Sequence, residues 1–188
     1  LTQSEKLYQE LKLIDQSVFK VCGLALTRVE TELESQVYFA HNFKLDEQKV
    51  KFRMAKITPK KTGQFVAIWK RNNKGTTEPF DVSDNIDVYL IATRKGRQFG
   101  LFIFPKAVLY EHGIISSKTT EGKRGIRVYP PWDPTTSRQA HKTQLWQTRY
   151  FLDLSQDKPI DLKRAKDLLV LGKHTDAGQS TETFEVCI

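Results

Sequence analysis

Leu7, Leu11, Ile14, Val18 and Val21 recur at spacings of three and four near the start of the chain. That spacing marks one face of a helix, so residues 4–22 are predicted to form an amphipathic helix lying on a core. The pattern then changes to alternation. Val50, Phe52 and Met54 alternate with Lys51, Arg53 and Ala55, which predicts a half-buried strand over 49–57, paired with 36–44 across the short link 45–48. Pro59 breaks this pattern, because it cannot donate to a central ladder. Phe65, Ile68 and Trp69 return to helical spacing, so a helix is predicted over 63–72 with those three side chains buried. The runs 86–93 and 99–105 are almost wholly apolar and read as central strands covered on both faces. A short helix after Pro105, strands at 113–117 and 125–130, a helix over 137–152 and a last helix over 159–172 complete the order. This is a mixed α/β (α+β) chain, with one compact domain over 1–172, a central mixed sheet flanked by helices, and a polar tail over 173–188.

Charge sharpens the picture. The 188 residues carry a net charge of +8, and it is concentrated in two blocks. Residues 48–74 hold nine Lys and Arg and no Asp or Glu; residues 94–149 hold eleven against three. Such asymmetry fits a polyanionic partner. No apolar run is long enough to cross a bilayer, and the opening residues lack the apolar stretch of a secretory signal, so no membrane partner is expected. Cys22 and Cys187 have neither metal spacing nor a CxxC partner and are read as free thiols of the reducing cytoplasm.

Catalytic templates fit poorly. The four histidines are scattered, without the spacing of a zinc site. A helix, hairpin, helix and strand is the core order of restriction-endonuclease-like folds, which place one acid on a hairpin strand and an acid-x-Lys pair on the next. The acids hold the Mg²⁺ that stabilises the attacked phosphate. Lys56 stands in the lysine position, but Met54 takes the place of the acid and 36–44 contains no Asp or Glu. No catalytic residue, metal ligand or cofactor is therefore assigned. Two alternatives stay open: a metal-dependent nuclease with a degenerate or relocated site using Asp81, Asp84 or Asp87, and a protein- or small-ligand-interaction module linked to drug response.

The expected activity is nucleic-acid binding, DNA or RNA, without cutting. Phosphates are recognised by Lys, Arg, polar side chains and helix N-termini. The first basic segment offers Arg53, Lys56, Lys60, Lys61, Gln64, Lys70 and Arg71. The second offers Lys123, Arg124 and Arg127 in a flexible loop, Trp132 as an exposed ring, and Arg138, Lys142 and Arg149 along one helix face. Trp146 and Tyr150 are read as core. The expectation requires the two segments to share one surface.

The runs "AKITPKKTGQFVAIWKR", "GLFIFPKAVL" and "EGKRGIRVYPPWDPTTSRQAHKTQLWQTRYFLDL" resemble the MepB family, and the likeness spans about residues 36–154. Members are bacterial cytoplasmic proteins, the namesake being encoded beside a multidrug efflux pump and its repressor. The resemblance implies a compact α/β protein with a nucleic-acid-binding role and a nuclease-like or related core. It supplies no catalytic assignment.

Overall fold

The computed structural model describes residues 3–171. Helix α1 (Gln3–Ile14) opens the chain and continues into a π-helical turn, Asp15–Phe19. Strands β1 (Leu26–Thr31), β2 (His41–Leu45) and β3 (Gln48–Met54) follow, then four short strands, β4 (Lys56–Thr58), β5 (Lys61–Ala67), β6 (Trp69–Arg71) and β7 (Thr77–Pro79). The long strands β8 (Val88–Lys95) and β9 (Gln98–Pro105) lead into α2 (Lys106–Glu111) and β10 (Gly125–Val128). Helix α3 (Arg138–Gln147), β11 (Phe151–Asp153) and α4 (Leu162–Leu171) complete the described fold.

Six strands form the main sheet in the order β1-β2-β3-β8-β9-β11. Only β3 and β8 run parallel; the other neighbours are antiparallel. Strand alternation sorts its side chains into two cores. Phe43, Val50, Phe52, Val88, Leu90, Leu101 and Ile103 meet Leu11, Ile14 and Val18 of the first helical segment and Ala165, Leu168 and Leu169 of α4. Tyr89, Ile91, Phe102 and Phe104 point the other way. They are covered by a second sheet of order β10-β5-β4, which contributes Val66, Ile126 and Val128, and by Val108 and Leu109 of α2. The molecule is thus a single mixed α+β domain around a central mixed sheet, with helices on one face and mainly a small sheet on the other.

Several predicted elements are corrected. Residues 63–72 are not a helix: they form β5 and β6, with Val66 and Ile68 turned into the core. Helical spacing and a buried short strand are hard to separate over so few residues. The space between β3 and β8 therefore holds four strands where the nuclease template needs a helix. Residues 36–38 are a single 3-10 turn, so the first hairpin strand begins only at His41. Around 113–117 there is no strand, only one bridge from Ser116 to Asp81. The helix over 137–152 ends at Gln147, and Phe151–Asp153 pairs with β9 as the sheet edge. β1 was not predicted at all. Arg28 sits at φ 54° beside a bulge between Thr27 and Glu30, which spoils the two-residue period on a mostly exposed edge. The tail at 173–188, with Cys187 and His174, lies outside the described residues.

Helix α3 is tied to the small sheet by one side chain. The Gln147 amide, 1% exposed, accepts from the Tyr129 N–H at 2.9 Å and donates to the Arg127 carbonyl at 3.0 Å. It completes the open edge of β10 as a neighbouring strand would. Gln147→Leu keeps the packing volume but orphans both backbone groups. Urea denaturation should show a loss of about 2 kcal/mol with unchanged m-value. A loss below about 0.5 kcal/mol would mean that this edge is satisfied some other way.

Candidate functional site

The β5–β10 ladder brings the two basic segments together. Gly125 lies opposite Ala67, Ile126 opposite Val66, Arg127 opposite Phe65 and Val128 opposite Gln64. On the other side of β5, Lys56 of β4 lies opposite Phe65. Alternation sends Gln64, Val66, Ile126 and Val128 inward, and leaves Phe65, Arg127 and Lys56 toward solvent. An open groove of about 510 Å³ runs over this outer side, lined by Thr58, Pro59, Lys60, Lys61, Phe65, Gly125, Ile126 and Arg127. No carboxylate is among these lining residues.

Arg127 shapes the groove from below. Its guanidinium donates to the carbonyls of Lys61, Thr62 and Gly63 at 3.4, 3.2 and 3.0 Å and to the Thr58 hydroxyl at 2.7 Å. The β4–β5 turn is thereby wrapped around one cation, with Lys60 and Lys61 exposed at its tip. Gly63 makes that turn possible. Its φ is +73°, and a Cβ there would come within 2.6 Å of the Tyr129 ring.

A second charged site lies inside, where β3 meets the small sheet. Lys51 and Arg53 share the sheet face of their parallel partners, Tyr89 and Ile91. Glu32, just past β1, folds across them. Arg53 grips its carboxylate with two bonds of 3.1 and 2.6 Å, and Lys51 adds a third at 2.7 Å. Burial alone would raise the Glu32 pKa. The charges and hydrogen bonds of Arg53 and Lys51 outweigh that and hold it below the ordinary value. Lys51 is also lowered, first by its own burial and further by the Arg53 charge, despite its bond to Glu32. The two directions are compatible, because one carboxylate serves two cations and Arg53 takes the two-pronged seat.

Several predicted ligands are buried or already engaged in ion pairs. Arg53 is 3% exposed and cannot reach a backbone phosphate. Lys70 is paired with Asp84 and Glu78. Arg71 donates to Glu34 at 2.6 Å and to the Gly75 carbonyl, stacked beside Trp69. Gln64 is fully buried on β5, where a first helical turn was expected. Trp132 is not an exposed platform: it is half-buried, edge-on to Phe151 at 5.3 Å. Trp146 and Tyr150 pack against the second core, as expected.

The loop before β10 is tied to neighbouring segments by hydrogen bonds. The Lys123 N–H donates to the Ile114 carbonyl, the Gly122 N–H to the Ser116 hydroxyl and the Ile68 N–H to the Arg124 carbonyl. The Arg124 side chain bonds the Thr77 carbonyl and Glu121, while Lys123 remains exposed. Arg138, Lys142 and Arg149 are exposed on and just after α3, away from the groove lining. So Lys60, Lys61 and Arg127 converge, Lys56 stands beside them, and the α3 cations form a separate group on the adjoining element.

The acids proposed for a relocated metal site have structural partners. Asp84 takes Lys70 and the Asp81 N–H, Asp81 takes both donors of Ser83, and Asp87 takes the Lys49 N–H at 2.7 Å. Among the described residues no three His, Cys, Asp or Glu are grouped to hold a metal ion. No described helix is long and apolar enough to cross a membrane.

The model of the MepB-like family matches residues 32–153. The chain belongs to the MepB-like family. A crystal structure of MepB superposes with a TM-score of 0.68 at 28% identity, covering 82% of this chain and 98% of that one. No curated protein matches. The MepB-like segment begins at Glu32 and includes both sites, β2 to β11 and α3, while α1 and α4 lie outside it.

Glu32 was missed in the sequence, although Glu30, Glu32 and Glu34 alternate upstream of the acid-free block. Two of them hold Arg53 and Arg71. Glu32→Gln strands two buried cations in this MepB-like fold and should cost about 3 kcal/mol or more. Because the Glu32 pKa is depressed on folding, its stabilisation is complete above the ordinary value of 4.5 and is lost as pH falls through the folded value. Denaturation between pH 3 and 7 should show a steeper acid loss in the wild type than in Glu32→Gln. Parallel pH profiles would sink this assignment.

Proposed function

We propose that this chain binds nucleic acid through the phosphate backbone, using the outer side of the β10-β5-β4 sheet. The observation that carries the reading is the lining of one groove by Lys60 and Lys61 of the first basic segment and Arg127 of the second. Arg127 sits more than sixty positions beyond the two lysines in the chain, yet shares with them a surface without a carboxylate in its lining. Lys56 and Lys123 flank it on neighbouring strand and loop positions, and the α3 cations offer a second, more distant contact for a longer strand. The role is binding without hydrolysis, since nothing in the groove would hold a catalytic metal. The reading includes a cytoplasmic location, in which the free Cys22 stays a thiol.

Lysines at a turn tip act as point charges, so affinity should be governed by counterion release. Anisotropy titrations of labelled oligonucleotides should give log K falling by about 0.9 per log unit of salt for each duplex phosphate neutralised, and about 0.7 for single strands. The double variant Lys60→Glu/Lys61→Glu should weaken binding to all sequences at least about tenfold and flatten the slope by roughly two phosphates. An affinity independent of salt, or unchanged in this variant, rules the reading out.

A further inference from the structure

We infer that the groove seats an unpaired base on the Phe65 ring, which makes the ligand a single strand. This rests on the nucleic-acid reading above and narrows it. Phe65 stands on the outward side of β5, half-buried, and is the aromatic residue in the groove lining. Its cross-strand neighbours on that side are Arg127 and Lys56.

Gly125 and Tyr38 both pack against the ring. Gly125 on β10 gives it a floor: a Cβ there would come within 2.5 Å of the ring Cζ and 2.9 Å of Cε2. Any larger residue would lift the ring out of position. Tyr38 meets Phe65 edge-on, with centroids 6.0 Å apart and planes at 67°. Lys56 Nζ lies 5.5 Å from the centre of the Tyr38 ring. The arrangement is a braced aromatic surface between cations, and its 510 Å³ suits a nucleotide-sized group.

Duplex nucleic acid keeps its bases stacked inside and would offer this groove only phosphates. A single strand can turn a base face onto an aromatic ring while its flanking phosphates meet lysines and arginines. The Phe65 site therefore adds affinity for single strands alone. The chemistry is shared by DNA and RNA, because every base has a π-face.

The experiment compares oligo-dT, oligo-U and a duplex of equal phosphate number by anisotropy at fixed salt. Both single strands should bind more tightly than the duplex. Phe65→Ala should weaken single-strand binding about tenfold and leave duplex binding unchanged. Phe65→Leu keeps an apolar cover over Gly125 without an aromatic face and should show the same loss; Phe65→Trp should restore affinity. If Phe65→Ala fails to fold, the Leu and Trp variants decide. A preference for oligo-dT or oligo-U alone identifies which single strand is the ligand. Equal loss on single strands and duplex, or no loss in Phe65→Leu, overturns the base seat. If the Lys60→Glu/Lys61→Glu variant still abolishes binding in that case, phosphate recognition stands and only the base seat fails. If neither set of variants changes binding, both readings fail.

Discussion

The pairing of β5 with β10 is the contact on which the surface depends. It joins chain segments some sixty residues apart, and four residue pairs in register fix which side chains face out. Without it the two basic segments would be independent; the ladder holds their cations together against mutual repulsion. Two side chains reinforce the ladder. Arg127 gathers three carbonyls of the β4–β5 turn, and Gln147 closes the outer edge of β10. The same few hydrogen bonds thus set strand register, turn shape and the position of α3.

Burial decides what each positive charge can do. The block 48–74 is acid-free in sequence but not in space. Glu32, Glu34, Glu78 and Asp84 reach it from both sides and take Lys51, Arg53, Lys70 and Arg71. Lys51 and Arg53 are removed from water and must be compensated, whereas Lys70 and the exposed Arg71 are paired near the surface. At the turn tip, Lys60 and Lys61 are exposed, have no ion pair among the described contacts and remain for a ligand. Net charge in the sequence therefore overstates the charge available for binding, and the location of acids across the fold corrects it.

Four strands of the main sheet, β2, β3, β8 and β9, were legible because they carry their own pattern, while the edge strands β1 and β11 were not. Val88 to Lys95 and Gln98 to Pro105 are apolar enough to admit only a central position, and α1, α2 and α4 follow from period and punctuation. Of the small sheet only β10 was legible as a strand, and its pairing was not, because the strands are short and their partners distant. Nothing local to Gly125–Val128 names Gln64–Ala67 as its neighbour. The family resemblance was carried by these same runs, so it could be read before their pairing was known. The inner ion site escaped for a related reason: Glu32 and Arg53 are ordinary charges until β1, β2 and β3 stack side by side and bring them together.

The correction from helix to strand over residues 61–71 changes the chemistry as well as the fold. On a helix, Phe65, Ile68 and Trp69 would share one buried stripe, and the aromatic ring would belong to the core. On a strand, successive side chains point to opposite faces, so Gln64 and Val66 go in while Phe65 goes out. Gly125 then supplies the one place on β10 where a ring can lie close to the backbone. A helix would have given the basic segment only cations and a dipole to offer a ligand. The strand gives it cations and a ring on one surface, and that combination distinguishes an unpaired base from a bare phosphate.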